Sequence, residues 1–230
     1  MSIETNYLHI KECIAASVLK SERAVNSVEV VAVTKFHPPE HILPLESLGV
    51  KSIGESKIQE LQGKFDKLSK IFKIHFIGHL QTNKAKQAVS MADLIHSVDS
   101  ERLALAINNA AASVQKKQEI LLQVNCSNED QKGGISPSEF ENVLIRVSKL
   151  ANIKIIGLMT MAALTDDKAA VRASFRLLRS LRDKGASLQI SGVTLNHLSM
   201  GMSHDYNIAV EEGATLVRIG SALFEGIENA

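Results

Sequence analysis

Eight short apolar, mostly β-branched runs are spaced along the chain, with stretches of helical periodicity between them. The runs are VEVVAVTK from Val28, residues 50–54, KIHFIG from Lys73, DLIHSV from Asp93, EILLQVN from Glu119, IKIIGLM from Ile153, VTLNHLS from Val193 and TLVRIG from Thr215. A strand that is apolar on both faces must be covered on both faces, as in a parallel sheet flanked by helices. Helices are expected at 57–69, 83–91, 101–114, 137–151, 168–184 and 204–212, and FHPPEHILPLESLG after Lys35 suits a loop, a proline-started turn and a stop at Gly49. Eight strands, each followed by a helix, in 230 residues predict an α/β protein folded as one (β/α)8 TIM barrel. An open doubly wound sheet is the competing topology, but its dinucleotide fingerprint is missing after the first strand. Ile10, Cys13, Ile14 and Val18 recur at helical spacing and predict an extra N-terminal helix on the barrel wall. No linker, repeat or low-complexity tract divides the chain, so a single domain is expected over 1–230.

A barrel carries its chemistry where strands end and loops begin. Those ends hold Thr34 and Lys35, Gly54 and Glu55, Gly78 and His79, Asp99, Asn125, Met159 and Thr160, His197 and Ser199, and Arg218 through Ser221. Lys35 ends an apolar strand on an amine, which is either a surface cation or a group able to form an imine with an aldehyde. Two candidate anion sites follow strands seven and eight: Ser199, Gly201 and Ser203 lead into one helix, and Gly220 and Ser221, directly after Arg218, open another. Glycines let backbone N–H groups approach an oxyanion, and barrels often bind phosphate at these two loops; the plainer reading is caps and turns. Closure of the barrel pairs strand eight with strand one and brings Lys35 beside these loops. An amine facing a phosphate site describes a small phosphorylated aldehyde, which pyridoxal 5′-phosphate fits and sugar phosphates fit less specifically. Arg218 can only donate, so it is expected to face a pyridine nitrogen, the phosphate or an acid across the rim.

Lysine plus arginine (26) balances aspartate plus glutamate (25), giving no reason to expect nucleic acid or an anionic membrane as partner. The first residues lack the pattern of a signal peptide, and no apolar run is long enough to span a bilayer, so a soluble, cytoplasmic protein is expected. Cys13 and Cys126 lack the paired spacing of a zinc or redox motif, and the two HxxxH spacings, HPPEH from His37 and HFIGH from His75, fall in a proline loop and across a strand end rather than along a helix, so no metal site is expected. His75 and His96, inside strands, read as satisfied core or rim residues.

AVTK with Lys35, HFIGHLQTNK from His75, HSVD from His96, LMTM from Leu158, LSMGMSHD from Leu198 and VRIGSALFEG from Val217 occur in one order over nearly the whole chain. Together they resemble the pyridoxal phosphate homeostasis proteins, the YggS/PROSC family. The resemblance implies a fold-type III barrel similar to the N-terminal domain of alanine racemase, with the cofactor held as an internal aldimine on Lys35. It also implies a regulator or carrier acting on vitamin B6 and amino-acid pools, without established turnover and with cofactor-dependent apoenzymes as clients. Analogy with fold-type III enzymes points Arg218 at the ring nitrogen. One departure is Ser56, where the family usually has asparagine. A low-activity amino-acid racemase is the alternative; it would need a second base, which in alanine racemase is a tyrosine of another domain and subunit, and Tyr7 and Tyr206 are the only tyrosines. Absence of a racemase-type dimerisation domain leads to the expectation of a monomer.

Overall fold

The computed structural model describes residues 2–24, 26–127, 129 and 133–227. Its eight strands are β1 (Glu29–Val33), β2 (Ser52–Glu55), β3 (Lys73–Phe76), β4 (Leu94–Val98), β5 (Gln118–Gln123), β6 (Ile153–Met159), β7 (Val193–Ser199) and β8 (Leu216–Ile219). They are parallel and close into a barrel in sequence order, with β8 beside β1 so that Val31 lies opposite Arg218 and Ala32 opposite Ile219. The helices are α1 (Ile3–Lys20), α2 (Pro39–Ile42), α3 (Ile58–Leu68), α4 (Ala85–Met91), α5 (Glu101–Ser113), α6 (Phe140–Val147), α7 (Lys168–Ser187) and α8 (Tyr206–Glu211).

Alternation along each strand separates two apolar layers. Val30 and Ala32 join the large cluster between strands and helices, whereas Val31 turns to the barrel axis with Leu94, Leu121, Ile156, Met159 and Leu216. That double burial is why the strands read as unbroken apolar runs. Helix starts follow local chemistry: Ser100 caps α5 through Leu103 N, and Asp167 caps α7 through Ala169 N and Ala170 N.

The expected strand-helix alternation fails at one place. Among the described residues no helix follows β8; residues 220–226 make turns, with Leu223 N and Phe224 N both donating to Gly220 O. The carbonyls of Leu223 and Glu225, which a continuing helix would use itself, accept instead from Nδ2 of Asn6 at 3.0 and 2.9 Å. Gly226, at φ +77°, then turns the chain away. The expected N-terminal helix, α1, packs on α8 and covers this corner of the barrel. Elsewhere α6 is shorter than 137–151, and α8 starts only at Tyr206 because residues 201–205 are held in a turn by Asp205, whose Oδ1 accepts from Met202 N.

Candidate cofactor-binding site

Lys35 stands one residue beyond buried Thr34 at the C-terminal end of β1, and its side chain is exposed to a cavity of about 770 Å³. The turn that carries it is fixed from below. Thr34 Oγ1 donates to Glu55 Oε1 at 2.6 Å, and Nζ of Lys64, on α3, donates to the same oxygen (2.9 Å) and to Thr34 O (2.8 Å). Glu55 is fully buried, so the lysine supplies the countercharge its burial requires. Phe36 adopts φ +67°, unusual for a bulky residue, and its N–H donates to Glu60 Oε2 on α3. Nζ of Lys35 and of Lys57 lie 5.8 and 5.2 Å from the Phe36 ring centroid.

Ser203, Gly220 and Ser221 line the same cavity, as does buried Arg218. Gly201 shapes the loop. Its φ is +92°, and a Cβ there would meet Ala209 Cβ at 2.6 Å, so only glycine lets the backbone turn this close to α8. Ser203 Oγ accepts from Ala222 N at 3.2 Å, tying the loop after β7 to the turn after β8. Among the described residues the N–H groups of Ser203, His204, Gly220 and Ser221 have no acceptor within the protein. A row of such donors facing one cavity suits an anion. The donors come from turns rather than from two helix ends, since no helix follows β8 among the described residues.

Arg218 is buried at the end of β8. Nη1 donates to Ser199 Oγ at 2.6 Å and Nη2 to Thr160 O at 3.0 Å, and no carboxylate lies within ion-pair distance among the described residues. Burial lowers its pKa to about 10, which leaves it charged at neutral pH. A buried cation held only by neutral acceptors, with a cavity in front of it, suits a ligand atom that accepts a hydrogen bond.

Lys35, Ser203, Arg218, Gly220 and Ser221 therefore share one cavity, as the sequence led us to expect. Ser199 and Gly201 do not line it. The Ser199 hydroxyl is fully buried under the cavity, between Arg218 and Nδ1 of His96 (2.8 Å), and Gly201 shapes the loop from behind. His197 departs further from expectation: β7 continues to Ser199, which leaves His197 lower in the barrel, lining a second cavity at the opposite mouth with Glu29 and Lys73. Ser56, noted in the sequence as the departure from the family asparagine, lines the upper cavity, as do Val33, Ile77, Gln123, Gly133 and His204, which were not singled out as ligand contacts. Val33 and Ile77 supply apolar wall, and Gln123 is oriented by donating from Nε2 to Gly133 O at 2.6 Å. Of the residues not singled out, only Val33 was marked in the sequence, by its position two residues before Lys35 and so on the same side of the strand. His79 sits on the rim with Nδ1 3.5 Å from Asp99 Oδ2. The donor row, the buried arginine and the amine fit pyridoxal phosphate in charge and polarity, and the volume is ample for a small cofactor.

The model of the alanine racemase N-terminal domain matches residues 12–227. A pyridoxal phosphate homeostasis protein of Aquifex aeolicus is 40% identical over 217 residues, 94% of each chain. Among solved structures, a protein of Bifidobacterium adolescentis superposes with TM-score 0.89 at 32% identity, covering 96% of this chain and 94% of that one. PipY of Synechococcus elongatus PCC7942, solved with PLP bound, superposes with TM-score 0.80 at 34% identity, covering 94% and 99%. Among the described residues no helix is long and apolar enough to cross a membrane. By sequence and by fold, the chain belongs to the alanine racemase N-terminal domain family and, within it, to the pyridoxal phosphate homeostasis proteins.

Proposed function

We propose that this protein holds pyridoxal 5′-phosphate on Lys35 in the cytoplasm and serves intracellular vitamin B6 and amino-acid balance as a carrier or regulator, not as an enzyme. The observation that carries the reading is that one cavity is lined both by the Lys35 amine and by Ser203, His204, Gly220 and Ser221, whose N–H groups have no acceptor among the described residues. The bound cofactor would supply an aldehyde, and Lys35 would hold it through its amine, with water released on condensation. Ser203, Gly220 and Ser221 hold the phosphate, on the loop that Gly201 shapes. Arg218, oriented by its bond to Ser199, would donate toward the ring nitrogen and so keep a proton off it. An unprotonated ring withdraws less charge, so these residues favour holding the cofactor over carbanion chemistry. Racemisation would also need a second base, and both tyrosines are buried among the outer apolar residues, away from the cavity. The same reading takes one barrel unit as the working molecule, a monomer whose clients are apoenzymes that require the cofactor.

Purified after expression with ample pyridoxal, the protein is expected to be yellow, and Lys35→Ala colourless. Borohydride reduction followed by peptide mass analysis is expected to place the cofactor mass on Lys35. A colourless wild-type protein, or a label on another lysine, would overturn the assignment; rapid Lys35-dependent alanine racemisation would overturn the non-catalytic part.

A further inference from the structure

A column of polar side chains runs down the barrel interior from the cofactor cavity to the opposite mouth. Arg218 donates to Ser199 Oγ, Ser199 Oγ lies 2.8 Å from His96 Nδ1, and His96 Nε2 lies 3.1 Å from His75 Nδ1. All four side chains are buried. Burial holds both histidines neutral at physiological pH, with His75 lowered to about 3 and His96 well below its ordinary value. Each imidazole then has one N–H, and the arginine, which only donates, fixes the direction of the chain. Ser199 accepts from Arg218 and, having no other acceptor among the described residues, gives its own proton to His96 Nδ1. His96 must therefore carry its hydrogen on Nε2 and donate to His75 Nδ1. The hydrogen of His75 is left on Nε2, which has no partner among the described residues.

The His75 side chain is buried but lines the cavity of about 370 Å³ at the N-terminal mouth, so this N–H opens into that cavity. The charged groups there are mostly engaged. Glu29 accepts from the Ser52 hydroxyl, Asp93 Oδ2 accepts from Ile74 N at 2.7 Å, and Glu119 pairs with Lys154 at 2.8 Å. Lys116 donates to the carbonyls of Val89 and Ala92 at the end of α4, and His197 lies 3.4 Å from Thr215 Oγ1. Lys73 and Lys117 line the same mouth and have no carboxylate partner among the described residues. One partnerless donor on a buried side chain, flanked by two unengaged ammonium groups, calls for an anionic acceptor, and the three acids at the same mouth disfavour two charges on one compact head group, as in phosphate, over a single carboxylate head. We infer that the N-terminal mouth of the barrel is a second ligand site, for a small carboxylate bound by His75, Lys73 and Lys117 and linked to the cofactor cavity through His96, Ser199 and Arg218. The site stands without the cofactor assignment; only the link rests on it.

The test uses the full chain with ¹⁵N-labelled histidine, loaded with cofactor and also as Lys35→Ala, titrated with acetate, succinate and inorganic phosphate. Expected is a saturable shift of the His75 ring nitrogens with acetate or succinate in both proteins, at least tenfold weaker in the double variant Lys73→Ala/Lys117→Ala. Saturation of the loaded protein is expected to shift the cofactor absorbance band, and Ser199→Ala or His96→Gln to abolish that response while leaving carboxylate binding in place. No saturable shift, an unchanged titration in the double variant, or tighter binding of phosphate would overturn the site. A band that never responds, or responds equally in both relay variants, would overturn the link. Because Lys35→Ala reports on the site alone, failure of the cofactor assignment and failure of this inference give different results.

Discussion

Two glycines show how differently one methyl group can act. Gly201 has φ +92°, and a Cβ would press on Ala209 Cβ at 2.6 Å, so Gly201→Ala must move α8 or open the loop. Backbone strain at a left-handed position and overpacking together cost about 1–3 kcal/mol. That loop carries Ser203, so cofactor retention is expected to fall with stability. Gly63, in the middle of α3, has open space around a built Cβ. Gly63→Ala is expected to raise stability by about 0.4–1 kcal/mol through lower unfolded-state entropy and better helix propensity. Urea unfolding of both variants, with the cofactor dissociation rate of Gly201→Ala, checks the pair; equal effects of one sign would contradict the packing described.

At the level of elements, α1 stands in for the missing helix after β8, and Asn6 is its fastening. Asn6→Ala removes two hydrogen bonds to carbonyls of the turn that begins with Gly220 and Ser221, at an expected cost of about 1–3 kcal/mol. The loss is expected to appear as faster cofactor release as well as a lower urea midpoint; a midpoint shift with unchanged release would separate α1 from the site. The eight strands were legible because double burial prints itself as apolar runs, and closure of β8 on β1 correctly brought Lys35 to Gly220 and Ser221. What α1 does was not legible, because an asparagine that donates across more than two hundred residues leaves no local pattern. Nor was the inward turn of Ser199 or the low position of His197, since a shift of one residue in a strand's end reverses which face a side chain takes. The missing helix after β8 was misread for a related reason: Gly-Ser after a strand suits a turn as well as a cap.

For the whole molecule, the buried histidine column makes stability depend on pH with a definite sign. In the unfolded chain a histidine protonates near pH 6.5, whereas His75 in the fold does so only near 3 and His96 also well below 6.5. Between these limits the unfolded state binds more protons, so stability is fully present above about pH 6.5 and is lost as pH falls toward the folded values. Each proton is worth about 1.4 kcal/mol per pH unit, so the two histidines together impose a slope of about 2.7 kcal/mol per unit once the unfolded chain is protonated. His37, stacked on Phe224, and His197 are lowered as well and add in the same direction. Glu212, buried against Arg172, Arg176 and Arg179, is also held down, but its contribution is lost only below the ordinary carboxylate range. The interval from pH 6.5 to about 4.5 therefore belongs to the histidines. Urea unfolding of the Lys35→Ala protein across it is expected to show a steep fall in stability, about half as steep for its two column histidines after His96→Gln. A flat profile in the parent, or an unchanged slope in the variant, would mean that the column is protonated in the fold, and the donor direction from Arg218 to His75 would be lost with it.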